Sequence, residues 1–328
     1  MTLKEVAELA GVSPSAVSRY LNGGPLSEDK SVRIRQAIEQ TGYRPNAVAQ
    51  TLRTGKLRQV GVIVPKIHSV SVSQVTAGIE SVLSARGYLT MLGCSGGDDL
   101  QELRYLEMMQ SNHVAGIILM GTTLTPAKAD AFRGCRVPLV ITGQNFPGLP
   151  CVYHDDFDAA KELAARLIQR GRRRLVYLGV DERDAAVGLA RRKGVQAALR
   201  EAGLDGQQLP RSAGDFTPDS GAAEMRRLLE QHPDLDGVIC ATDAIAHGAM
   251  LALRAAGRRL PEDVSIAGFG NSWFNEFSQP RLTTARLFQE ECGKDAAGVL
   301  LQMLEQDAPG SPVRKVALGY SIVDRGSV

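Results

Sequence analysis

Thr2-Leu-Lys-Glu-Val-Ala-Glu-Leu-Ala-Gly-Val-Ser-Pro-Ser-Ala-Val-Ser-Arg-Tyr-Leu-Asn22 contains two short helical patterns separated by one turn. Leu3, Val6, Ala7, Leu9 and Ala10 recur at helical spacing until Gly11-Val12 interrupts them. Ser13 then supplies a side-chain cap, and Pro14 takes the first helical position, where a missing N–H costs nothing. The second helix gathers Ala16, Val17, Tyr20 and Leu21 on one face and stops at Asn22-Gly23-Gly24. A third helix is expected from Glu28 to Gln40, with Val32, Ile34, Ala37 and Ile38 on its apolar side. Helix, turn and capped helix is helix-turn-helix geometry, in which the second helix enters the major groove of DNA. Pro14, Ser15 and Arg19 project away from the Val17/Leu21 face. Arg19 can present a bidentate fork to guanine, and Ser15 a hydroxyl to either base type. Ser13, Ser18 and Asn22 suit phosphates, which fix register without reading sequence.

The charge distribution points the same way. Residues 1–58 carry nine basic side chains against five acidic ones, although the whole chain has a formal charge of only +2. The positive charge is therefore concentrated where a polyanion could use it. Residues 44–58 are basic, begin beside Pro45 and contain Gly55, so they read as a linker with one short helix over 46–53. A helix of that length is marginal alone in water.

From residue 60 the pattern changes. Val60–Val64, Tyr88–Leu92, Ala115–Met120, Pro138–Thr142, Leu175–Leu178, Gly237–Cys240 and Val264–Gly268 are short continuous apolar runs. Helical segments lie between most of them, at 75–86, 99–111, 156–170, 187–202, 219–231 and 243–256. Apolar strands alternating with helices imply parallel sheets covered on both faces, and about 270 residues of this pattern fit two lobes better than one. Doubly wound sheets bind ligands beyond the carboxyl ends of their strands, so a ligand would lie between the lobes. A last β-like run spans Arg314–Val323.

The headpiece stretch, together with Gly42-Tyr-Arg-Pro-Asn46 and Ala49-Gln-Thr-Leu-Arg53, resembles the headpiece and hinge of the LacI/GalR (lactose-repressor-like) family of bacterial transcription regulators. The similarity continues through Val62–Pro65, Gly116–Leu119, Ala241-Thr-Asp-Ala-Ile-Ala-His-Gly248, Ile266-Ala-Gly-Phe-Gly-Asn271 and Leu282-Thr-Thr-Ala285. The resemblance implies an α/β protein: an N-terminal all-α helix-turn-helix headpiece (1–45), a hinge helix and linker (46–58), and a two-lobed periplasmic-binding-protein-like domain (59–328) with two parallel, doubly wound sheets. The expected lobes are about 59–155 with 287–317, and about 156–286 with 318–328. It implies a homodimer on a pseudo-palindromic operator in double-stranded DNA. Leu52 would wedge into the minor groove, with Asn46, Ala49 and Arg53 lining it.

The same resemblance implies an effector site. Lys66 ends the first strand, and Arg191, three residues before Gly194, falls on the family's sugar-gripping arginine. Phe216 falls on an aromatic platform position, and Asp243 follows Thr242 where the family usually has Asn-Asp. Gly270-Asn271 stands where Asp-Asp is common. That departure, with Tyr177-Leu-Gly-Val180, Gly188-Leu-Ala-Arg-Arg192 and Val152-Tyr-His-Asp-Asp156, is most similar to the trehalose-repressor branch and its sucrose-type relatives. That branch places arginines at the positions of Lys66 and Gln144; Lys66 keeps the charge and Gln144 does not. A small sugar or sugar phosphate (trehalose-6-phosphate-like, or another disaccharide) is the implied effector, and release of the operator is the implied response. Two other readings stay open: a sugar-binding protein of periplasmic type without DNA function, and a regulator of this family activated by a corepressor.

Enzymatic function finds no support. No G-x-G-x-x-G follows a strand, Thr54-Gly-Lys56 lacks the earlier glycine of a phosphate loop, and there is no G-x-S-x-G elbow. His68, His113, His154, His232 and His247 form no metal-ligand spacing, and Cys94, Cys135, Cys151, Cys240 and Cys292 form no C-x-x-C pair. No catalytic set, cofactor or metal is expected. The thiols read as buried groups of a reducing compartment, no apolar run approaches the ~20 residues of a membrane span, and Met1 opens into an amphipathic pattern unlike a secretory leader. The expectation is a cytoplasmic protein without membrane association.

Overall fold

The computed structural model describes residues 2–21, 24–43, 58–305 and 312–328. The chain divides into two compact units, Met1–Leu57 and Arg58–Val328. Asn22 and the expected minor-groove residues Asn46, Ala49, Leu52 and Arg53 lie outside the described residues.

In the first unit, α1 (Leu3–Leu9) opens on a capping box: Thr2 accepts from the Glu5 backbone N–H while the Glu5 carboxylate accepts from the Thr2 N–H. The helix ends where Gly11 takes φ +61° and Val12 N–H bonds back to the Ala7 carbonyl, a left-handed exit that a Cβ would strain. Helix α2 (Pro14–Leu21) follows at once, and α3 (Glu28–Thr41) closes the bundle. Val6, Ala7, Ala10, Ala16, Val17, Ile34 and Ala37 are its buried core.

The second unit contains two six-stranded sheets. The strands of the first are β1 (Gln59–Val64), β2 (Leu89–Cys94), β3 (Gly116–Met120), β4 (Leu139–Thr142), β5 (Cys151–His154) and β11 (Lys315–Leu318), in spatial order β11-β5-β4-β3-β1-β2 and all parallel. Around it lie α4 (Val70–Ala85), α5 (Asp99–Ser111), α6 (Pro126–Arg133) and α11 (Gln289–Glu305). The second sheet contains β6 (Leu175–Gly179), β7 (Arg211–Ala213), β8 (Gly237–Cys240), β9 (Ser265–Phe269), β10 (Thr283–Leu287) and β12 (Tyr320–Val323), in order β12-β10-β9-β8-β6-β7. Only the β10–β12 pairing is antiparallel. Its helices are α7 (Asp156–Gln169), α8 (Arg191–Glu201), α9 (Pro218–Gln231) and α10 (Asp243–Ala255).

The chain crosses between sheets three times: from β5 into α7, from β10 into α11, and from β11 into β12 at Gly319. The continuous run Arg314–Val323 is therefore two strands in different sheets. The expected 187–202 helix also divides: Ala185–Ala190 forms a π-helical turn ahead of α8. Strand β5, which the apolar pattern did not reveal, pairs with β4 and β11. Helices α4 and α11 approach closely because both carry glycine at the crossing. A Cβ at Gly78 would fall 2.0 Å from the Glu290 carbonyl oxygen, and one at Gly293 would fall 2.0 Å from that of Val75.

Candidate functional site

On the first unit, the start of α2 forms the candidate DNA-reading surface. Ser13, Pro14, Ser15 and Arg19 are all exposed, whereas Ala16 and Val17 are buried. The Ser13 hydroxyl caps the helix through the Ala16 N–H and lies 2.9 Å from the Ser15 hydroxyl. Arg19 is exposed about one and a half turns in from the N-terminus of the helix. Ser18 departs from expectation. It is only 7 % exposed, so it is largely covered where a phosphate contact needs it open.

On the second unit, the candidate residues sit beyond the carboxyl ends of the strands, where a doubly wound sheet opens. Lys66 follows β1 and Gln144 follows β4, from one lobe; Phe216 follows β7, Asp243 follows β8 and Asn271 follows β9, from the other. The fold brings several of them together across the gap. Lys66 Nζ stands 5.4 Å from the centroid of the Phe216 ring, a cation–π pair joining the lobes.

Arg191 lies within the cleft wall rather than at its surface. It is buried, with its Nε donating 2.7 Å to Asp156 Oδ1 and Nη2 at 2.6 Å from the same oxygen. A further N–H reaches the Ala241 carbonyl, and the guanidinium carbon lies 4.5 Å from the centre of the Phe269 ring. These contacts fix the fork and offset the cost of burying its charge. Asp156, the first residue of α7, thus joins the candidate site through a partner 35 residues away, which its local sequence does not mark.

Asp243 is occupied by the protein. Its Oδ1 accepts from the Thr284 hydroxyl at 2.6 Å, and its Oδ2 accepts from the Ser272 N–H at 2.7 Å and Asn275 Nδ2 at 2.9 Å. It ties α10 to β10 and to the turn after β9, and burial raises its pKa against the pull of those donors. Asn271, with φ +50°, turns its side-chain oxygen to Arg325 at 2.8 Å.

Gln144 is also engaged, but across the cleft. Its Nε2 donates to the Thr122 carbonyl at 2.9 Å and to Asp184 Oδ1 at 2.7 Å, and its Oε1 accepts from the Ala186 N–H at 3.1 Å. Asp184 caps the π-helical turn through the Val187 N–H, and its backbone pairs with Thr123 of the other lobe. Burial raises the pKa of Asp184, while the Val187 and Gln144 donors oppose the rise. Nothing in the local sequence distinguishes Asp184, because its partner is 40 residues away. Among the described residues, no group of His, Cys, Asp and Glu could hold a metal ion, and no helix is long and apolar enough to cross a membrane.

Comparison with known proteins agrees with this fold. Residues 2–46 match the lacI family of bacterial regulatory proteins, and residues 164–328 match the periplasmic binding protein-like domain. The HTH-type transcriptional regulator CelR of Thermobifida fusca is 32% identical over 96% of this chain and 95% of its own length. A solved complex of the transcriptional regulator CelR with cellobiose superposes with TM-score 0.77 at 28% identity, covering 100% of both chains. The lac repressor dimer bound to operator and an anti-inducer has the same fold, with TM-score 0.91 at 22% identity over 100% of this chain and 98% of the other. The chain belongs to the lacI family of bacterial regulatory proteins. It is a helix-turn-helix transcription regulator with a two-lobed binding-protein-like domain.

Proposed function

We propose that this protein represses sugar-utilisation genes in the cytoplasm and is released from its operator by a small carbohydrate, which it binds without chemical change. Two chains would hold a pseudo-palindromic duplex, with Ser15 and Arg19 of each α2 at base edges and Ser13 on phosphate. Residues 46–53, with Leu52 as wedge and Asn46, Ala49 and Arg53 beside it, would occupy the minor groove between the half-sites. The effector would lie between Lys66, Gln144, Arg191, Phe216 and Asn271, with Asp243 holding the floor.

The observation that carries this reading is the Lys66–Phe216 pair. It sets an aromatic face and a cation on opposite lobes, in a chain whose other unit exposes Ser15 and Arg19. A flat apolar ring suits the C–H face of a pyranose, and buried, oriented polar groups suit its hydroxyls. Ligand entering the gap changes the angle between lobes, and residues 46–58 pass that change to the headpiece. A coupling of ~1–3 kcal/mol alters operator affinity about 5–150-fold. The test is a gel-shift titration of full-length protein on a duplex selected from a random palindromic pool. Cellobiose, sucrose or trehalose should weaken the complex. Strengthening by all effective sugars would instead establish corepression.

A further inference from the structure

The carbohydrate reading leaves the charge of the effector open, and the cleft supplies the answer. At Gln144, where the resembling branch carries an arginine, the uncharged amide has both donors engaged, one of them by Asp184. Asp184 is 5 % exposed, and its bonds from Gln144 and Val187 both fall on Oδ1. Among the described residues no hydrogen bond is made to Oδ2, so this oxygen is free to accept one.

A phosphate placed at Gln144 would stand beside that carboxylate, where little water screens the repulsion. The cations of the cleft do not offset it. Arg191 is neutralised by Asp156 at 2.6 Å, and Lys66 is only half-buried, at the strand end over Phe216. A hydroxyl has the opposite relation to Asp184, since it donates to Oδ2 while accepting elsewhere.

We propose that Asp184, held by Gln144 across the cleft, selects the effector by charge, admitting an uncharged, hydroxyl-rich carbohydrate and excluding its phosphorylated counterpart. The proposal rests on the carbohydrate-sensor reading.

The experiment is calorimetric titration of the full chain at pH 8 with cellobiose, sucrose and trehalose, each paired with its own 6-phosphate. The wild type should bind at least one unphosphorylated sugar, and bind it at least about tenfold more tightly than its phosphate. Asp184→Asn keeps the acceptor for Gln144 and the helix cap but removes the charge. It should narrow that ratio about tenfold or more. Gln144→Arg, which sets a guanidinium against Asp184, should narrow it too and serves if the first variant folds poorly. Tighter binding of a phosphate by the wild type, or an unchanged ratio in both variants, overturns the charge selection alone. Binding of no member of the panel by the wild type overturns the sensor reading, and the charge selection with it.

Discussion

Arg191 Nε meets Asp156 Oδ1 at 2.7 Å inside the cleft wall, joining the start of α8 to the start of α7 with both side chains buried. An isolated buried charge is expensive, so each member of the pair is tolerable only with the other.

Asp156→Ala should therefore destabilise the second unit by about 3–5 kcal/mol, because it leaves the guanidinium unpaired. Urea unfolding of wild type and variant measures the difference. A loss below about 1 kcal/mol, the worth of an exposed pair, would show that the pair is solvated.

The two units should separate cleanly by mutation. The double variant Arg191→Met/Asp156→Asn, which leaves no buried charge unpaired, should abolish the response to effector while leaving unliganded operator binding within a few-fold. Arg19→Ala should instead lose sequence preference, by ~1–3 kcal/mol for each base contact removed. Fluorescence anisotropy on cognate and scrambled duplexes distinguishes them, and equal damage to both activities by both variants would mean the modules are misassigned.

The crossing of α4 and α11 should reject any side chain at its centre. Gly293→Ala places a methyl group against the Val75 carbonyl, a backbone atom that cannot turn aside. Overpacking of this kind costs roughly 1–3 kcal/mol. Thermal unfolding of the variant should show a lowered midpoint; an unchanged one would mean the helices separate without penalty.

Acid should weaken the fold through His154. Burial lowers its pKa below the usual 6.5, against the pull of Asp156 and Glu291, while Arg191 adds to the depression; its Nε2 is buried without a partner. The unfolded chain then binds more protons than the folded one between pH 6.5 and the lower folded value, so stability is lost as pH falls through that window. The contribution is at most about 1.4 kcal/mol per pH unit. His154→Asn should show a shallower decline of urea midpoint between pH 7 and 5 than the wild type. Identical slopes would remove His154 as the source.

Much of this architecture was legible in the sequence because it rests on local regularities. The turn at Gly11, the cap at Ser13 and the apolar runs of β1, β3 and β8 each follow from neighbours in the chain. What escaped depended on distant partners. Cys151–His154 is too short and too mixed to stand out, and becomes a strand only between β4 and β11. Arg314–Val323 looks uniform, yet its halves join different sheets because the third crossing falls inside it. In the cleft, residue types were readable but their partners were not. Gln144 is committed to Asp184, Arg191 to Asp156 and Asn271 to Arg325, through bonds spanning 40, 35 and 54 residues.

The central claim is that α2 reads a base sequence and that the cleft decides when it may do so. The most direct measurement is the affinity of purified full-length protein, at moderate salt, for a selected palindromic duplex against a random duplex, with and without cellobiose, sucrose or trehalose. A preference of 10³-fold or more, typical of specific over non-specific binding, is expected, and it should fall when an effective sugar is added. Equal affinity for both duplexes under every condition would contradict the account.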